Sequence, residues 1–193
     1  MPPYVQQIGP FGAGLKRPVW EEILEAIPRE IRYMQLSMSH PSDIGPAEKR
    51  ANLILPMDRS HEAIFSDYSS NHRRNVRRSR EEGFSIKTVR PEPFLDFADH
   101  HYLPKIPEQK RHHTAYHRLV PTLIGSSRAV ILGVQDRQGK MLAAAFLPYT
   151  PTRTMLLIPV TSQAGRDQRA MFYLIDELIR EFAGSDRTLD FEG

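Results

Sequence analysis

Cysteine is absent from this chain, and that absence removes several chemistries at once. There is no disulfide framework, no thiolate nucleophile and no cysteine-ligated zinc site. Long apolar runs are missing too. No stretch approaches the roughly 18–20 residues that a membrane-spanning helix needs, and the N-terminus lacks the basic-then-apolar pattern of a secretory signal. Together these absences predict a cytoplasmic protein with no membrane span. A strong charge of one sign is also lacking: 26 Lys and Arg stand against 23 Asp and Glu, a formal charge of +3. The placement of charge therefore carries more information than its sum. No Gly-x-Ser-x-Gly elbow, Walker A loop or dinucleotide Gly-x-Gly-x-x-Gly occurs, and there is no short-period repeat or low-complexity tract.

What is present is enough for a core. The 193 residues are 40% hydrophobic, the size of one large domain or one and a half small ones. An extended piece is expected at 4–8. A short helix at 20–27 carries Trp20, Ile23, Leu24 and Ile27 at helical spacing and ends at Pro28. Period-two alternation marks strands at 31–38 and 84–89, and a further strand is expected at 51–55. A long helical stretch covers 60–82, with Gly83 placed to end it. Two more helices are expected at 93–102 and 107–124. Strands and helices alternate throughout, which predicts an α/β or α+β layered fold.

Five arginines, Arg73, Arg74, Arg77, Arg78 and Arg80, crowd one helical segment. Arg73, Arg77 and Arg80 share one face, and Arg74 and Arg78 share the adjoining one. Guanidinium forks match phosphate oxygens, so this face is a candidate for a polyanion, against the plainer reading of a solvated face paired with acids such as Glu81 and Glu82. His113 and His117, one helical turn apart, are candidate substrate contacts. That spacing suits a metal, but Thr114 and Ala115 occupy positions where the zinc-protease signature carries its glutamate, and no metal is expected.

The last third is the most informative. A strand at 129–134 leads through the turn Asp136-Arg137-Gln138-Gly139 to a second strand at 141–148, and a third follows at 154–160. The polar loop 161–169 then meets an amphipathic helix at 170–182. An apolar strand entering a glycine-containing loop at a helix start is an anion site, because unpaired N–H groups and the helix dipole coincide there. The closing strand 188–193 carries Asp190 and Glu192 two residues apart. They either share a face toward a cleft, where the pair would raise one pKa, or form the solvent side of an edge strand.

Three segments in this order resemble the Fem-type (FemAB/FemX-like) branch of the GNAT acyltransferase superfamily, of bacterial type. They are the tyrosine–arginine helix–glycine–strand unit from Tyr68 to Gly83 and beyond, the hairpin 133–148, and the loop–helix–strand ending in Leu189-Asp190-Phe191-Glu192-Gly193. The resemblance implies a GNAT-like mixed, mostly antiparallel sheet flanked by helices. It implies a partial first unit at 1–90 and a second at 91–193, with a helical lead-in at 91–127 and the sheet, loop, helix and strand at 128–193. The chain would then be cut short at both ends, or would complete its sheets with a partner or a second copy of itself, a homodimer.

The implied activity is transfer of an acyl or aminoacyl group to an amine acceptor without a covalent enzyme intermediate. Donor phosphates would meet Pro159, Val160, Ser162, Gln163, Gly165, Arg166, Arg169 and Ala170. Counting from Gly165, Ser162 and Asp167 fall where the acyl-CoA pattern has Arg/Gln and Gly/Ala. The donor is therefore acyl-CoA or aminoacyl-tRNA, with tRNA as a partner for the arginine helix. Glu192 or Asp190 would be the base, and Tyr149 or Tyr173 the acid to the leaving group. The rival readings are a non-catalytic RNA-binding module and an inactive truncated homologue.

Overall fold

A computed structural model describes residues 22, 24–32, 51–106 and 109–192. The extended piece at 4–8, nearly all of the strand at 31–38 and the start of the helix at 20–27 lie outside the described residues. The chain divides into two compact units, Met1–Ala51 and Asn52–Gly193. The following concerns the second.

Its elements run β1 (Ile54–Pro56), α1 (His61–Ser66), α2 (Ser70–Glu81), β2 (Ser85–Thr88), α3 (Pro91–His101), a 3₁₀ turn (Leu103–Lys105), α4 (Gln109–Gly125), β3 (Ala129–Gln135), β4 (Met141–Pro148), β5 (Arg153–Met155), β6 (Ile158–Thr161), α5 (Gln163–Asp167), α6 (Ala170–Phe182) and β7 (Thr188–Asp190). The stretch expected as one helix at 60–82 is two. Ser60 and Ser69 each accept a backbone N–H of the following turn, from Ala63 and His72, so a second N-cap interrupts the run. Gly83, at φ +73°, ends α2 as expected. The β3–β4 hairpin closes on Asp136, whose Oδ1 accepts the N–H groups of Gln138 and Lys140 at 2.9 Å each, with Gly139 at φ +81°.

Two sheets result. One is antiparallel, in the order β2-β3-β4-β6; the other is β1-β7-β5, with β7 antiparallel to β1 and parallel to β5. β2, before residue 90, and the strands after 128 thus share one sheet. β4 is buried along its length from Leu142 to Pro148, because helices cover both faces. On one face Ala145 and Leu147 join the core with Leu174, Leu178 and Ile179 of α6. On the other, Phe146 meets Phe94 of α3, ring centroids 6.3 Å apart, while α4 lies on β3. The result is an α+β layered fold with helices on both sides of a mostly antiparallel sheet.

The closing strand differs from both expectations. β7 is no edge: it lies between β1 and β5, and both Leu189 and Asp190 are buried. It ends at Asp190, and Glu192 follows at φ +50°, so Asp190 and Glu192 do not share one strand face.

Candidate active site

The expected third strand is one run that serves two sheets. β5 follows β7, with Arg153 opposite Thr188, Thr154 opposite Leu189 and Met155 opposite Asp190. β6 follows β4, from Ile158 opposite Phe146 to Thr161 opposite Ala143. The exchange falls between neighbours: the Leu156 N–H donates to Asp190 O at 2.8 Å, and the Leu157 N–H donates to Phe146 O at 3.2 Å. Alternate N–H groups of a strand share a side. Those of Ile158 and Val160 face β4, because the Ser162 N–H, further along the same register, donates to Leu142 O at 3.0 Å. The opposite edge of β6, that of the exposed Pro159 and of Thr161, has no strand partner among the described residues once β7 has ended, and it opens at the parting of β6 from β7.

Three charged groups sit at this parting. Asp190 is fully buried. Its Oδ2 accepts a charge-assisted bond from the Arg153 guanidinium, and its Oδ1 accepts the Glu192 N–H at 3.0 Å. Asp190 is thereby an anchor that shapes the chain turn at Glu192. Burial first, and then the neighbouring Asp190 charge, push the Glu192 carboxyl above its ordinary value, with Arg153 pulling the other way. Among the described residues, Thr154 Oγ1 and Arg153 Nε are buried without hydrogen-bond partners, a deficit of about 1–3 kcal/mol for such a group that a ligand's polar atom would relieve.

The loop after β6 is more structured than expected, because α5 stands in it. Ser162 caps α5: its Oγ accepts the Gly165 N–H and donates to Leu142 O, both at 3.0 Å. Gly165 is buried so tightly that a Cβ would lie 2.1 Å from Leu142 O. Its glycine is required by helix-on-strand packing, independently of any phosphate. Asp167 accepts from the Gln163 amide at 2.9 Å. Arg169, in the left-handed region at φ +62°, precedes the buried Ala170 and reaches back to Asn75 of α2 at 3.0 Å. Arg166 is exposed and held by neutral acceptors, Thr161 O at 2.8 Å and Gln163 Oε1 at 2.5 Å.

Arg166 is not the only cation here. Lys105, Lys140 and His100 lie near His101 as Arg166 does. Burial first, then these charges, hold the His101 pKa below its ordinary value, and burial with Arg166 does the same to Lys105. Among the described residues no acid pairs with Lys105, Lys140 or Arg166. Mutual repulsion without a counter-ion is the electrostatic setting of an anion site.

The five arginines of α2 separate. Arg80 binds Asp176, a buried carboxylate of α6 that also meets His61 Nε2 at 3.1 Å and accepts from Tyr68 OH at 3.3 Å. Burial, then Asp176, push the Tyr68 phenol well above its usual range. Arg73 donates to Ser66 O and Tyr68 O at 2.8 and 2.6 Å. Both guanidinia are thus engaged in holding α2 in place. Arg74 donates to Asn71, while Arg77 and Arg78 are exposed and without an ion partner among the described residues.

Tyr149 pairs by its backbone with Thr154 at the β4–β5 connection. Tyr173 donates to Phe84 O at 3.4 Å, beside Arg80 and Glu177 and away from the parting. His113 and His117 face Asp99 of α3. A shallow recess lined by Glu81, Glu82, Asp136, Arg137, Gln138 and Gln168 contains none of the groups at the parting. Arg153, Lys105, Lys140, Asp99 and Asp176 were not legible as site or lock residues. Each is a single polar residue whose partner is distant in sequence. The one available signal was Lys140, directly after the turn glycine.

A strand divided between two sheets, followed by a loop and helix and a strand parallel to its first half, is the arrangement of a GNAT-like fold. FemX superposes on this chain with a TM-score of 0.58 over 74% of this chain and 52% of FemX, at 13% identity. A conserved protein of unknown function from Bacteroides thetaiotaomicron gives 0.53 over 73% of this chain and 49% of that one, at 10% identity. The chain spans about half the length of both. No protein-family model matches the sequence, and no curated protein matches it significantly. No helix among the described residues is long and apolar enough to cross a membrane.

Proposed function

We propose that this chain is an acyl- or aminoacyl-transferase domain that moves an acyl group from a phosphate-bearing donor to an amine. One observation carries the reading: the open edge of β6 at Pro159 and Thr161 lies where β6 parts from β7, with Glu192 on the departing side and the loop bearing Arg166 directly after β6. An extended donor arm would hydrogen-bond to this edge, as a strand would. Its phosphates would lie against Arg166, Lys105 and Lys140. Glu192 takes a proton from the acceptor amine as its nitrogen attacks the acyl carbon. The bond to the leaving sulfur or oxygen then breaks, and Tyr149 supplies that atom's proton. Acyl-CoA and aminoacyl-tRNA both carry phosphate and an activated acyl carbon, and the cationic loop suits either.

Calorimetric titration of the chain with each donor tests the reading. Binding of one donor is expected, at least about a hundredfold weaker in a Lys105→Ala/Arg166→Ala variant, since two phosphate contacts contribute roughly 1.5–3 kcal/mol each. Equal affinity in that variant, or no binding of either donor, would sink the proposal. Gly165 variants do not serve, because they disturb packing against Leu142.

A further inference from the structure

We infer that Asp99, His113 and His117 form a binding site for a divalent transition metal of the zinc class, joining α3 to α4. His113 and His117 stand at i and i+4 on α4, with rings stacked at 3.9 Å between centroids and 23° between planes. Their Nε2 atoms are directed toward one carboxylate, that of Asp99. His117 Nε2 lies 3.2 Å from each Asp99 oxygen, and His113 Nε2 lies 3.6 Å from Oδ2. The three ligand atoms all fall within 4.8 Å of one another.

These separations fit a coordination polyhedron. With zinc–ligand bonds of about 2.0–2.1 Å, the edge of a tetrahedron is about 3.3–3.4 Å. The two Oδ2 edges, 3.2 and 3.6 Å, bracket that value. Two imidazoles and one carboxylate are a ligand set that borderline ions prefer over magnesium or calcium, which favour all-oxygen sites. A supporting contact is in place as well. The fully buried Tyr116 donates its phenol to Asp99 Oδ1. That bond occupies one carboxylate oxygen, fixes the plane of the group and leaves Oδ2 toward the histidines, as outer partners of metal ligands do. Three protein ligands leave the fourth tetrahedral position to water or to a group on a bound molecule. The i, i+4 spacing was visible in the sequence. The third ligand was not, because it comes from the neighbouring helix rather than from a glutamate after the first histidine.

The test is independent of any transferase activity. The chelator-treated chain is titrated with Zn²⁺ by calorimetry and with Co²⁺ by visible absorption. One equivalent is expected to bind, with a four-coordinate Co²⁺ spectrum, and the melting temperature should rise with added Zn²⁺. Affinity should fall as the pH is lowered, because protons compete for the imidazoles. His113→Gln, at a half-exposed position, and Asp99→Asn should each weaken binding by at least about tenfold and abolish the thermal shift. A His100→Ala/His101→Ala variant should bind as the parent does. Absence of saturable binding at one equivalent overturns the inference. So does binding that persists in His113→Gln or disappears in the His100/His101 variant.

Discussion

Glu192 is where a single residue combines backbone and electrostatic cost. It occupies the left-handed region at φ +50°, its N–H is held by Asp190, and its carboxyl is half-buried beside that charge. A non-glycine residue in that region carries strain of about 1–3 kcal/mol where the surroundings enforce it. The folded pKa of Glu192 lies above the ordinary 4.5. Below 4.5 the carboxyl is protonated in both folded and unfolded chains and has no effect on stability. As pH rises from there through the folded pKa, the unfolded chain releases its proton first, and the folded state is progressively disfavoured. Glu192→Gln removes that penalty while leaving the N–H to Asp190 unchanged. The variant is therefore expected to resist denaturant slightly better than the parent at pH 7, and equally well at pH 4. Its acyl-transfer rate should be about 10²–10⁴-fold lower, the usual contribution of a positioned general base. Denaturant melts at the two pH values and initial rates check both halves. A variant with undiminished rate would remove Glu192 from the mechanism.

Among the elements, α2 shows most plainly what sequence could and could not convey. Its C-terminal boundary was legible, because Gly83 ends it by a local rule. Its five arginines were legible as a cluster, but their division was not. Arg80 finds Asp176 96 residues further along the chain, and no periodicity announces such a pairing. The same holds for Ser69, whose cap splits one expected helix into two. The division yields a prediction with two arms. Asp176→Ala leaves Arg80 facing a buried gap and strands the bonds from His61 and Tyr68. Breaking a buried pair from one side should cost about 3–5 kcal/mol in denaturant melts. Arg77→Glu/Arg78→Glu changes exposed residues only, and stability should stay within about 0.5 kcal/mol for each substitution. If α2 docks tRNA, that double variant should weaken tRNA binding and reduce the magnitude of the salt slope by about one for each phosphate that is no longer neutralised. A stable double variant with an unchanged slope would remove α2 from tRNA binding and leave acyl-CoA as the favoured donor.

For the molecule as a whole, local signals sufficed for the hairpin β3–β4, whose turn is closed by Asp136 and Gly139, and for the layered α+β arrangement. They did not reveal that the apolar run from Thr154 to Val160 belongs to two sheets, because a continuous apolar strand reads the same whether its partner changes or not. They also did not reveal α5, whose cap depends on Leu142 O from β4. For the proposed transferase, that distribution between sheets bears on the kinetic mechanism. A transferase that first takes the acyl group onto itself needs a nucleophile at the parting. Cysteine is absent from the chain. Ser162 is buried, with its hydroxyl donating to Leu142 O and accepting from Gly165. Asp190 is held by Arg153. On the proposed reading what remains is a base, Glu192, beside an edge open to an extended donor, and that reading requires donor and acceptor to be present together. Initial rates measured over a grid of donor and acceptor concentrations should therefore give intersecting reciprocal plots, and no acyl label should stay on the protein after incubation with donor alone. Parallel plots, or label retained through denaturation, would require a covalent carrier and would displace Glu192 from base to nucleophile. Intersecting plots with no retained label would support direct transfer from donor to acceptor, as proposed.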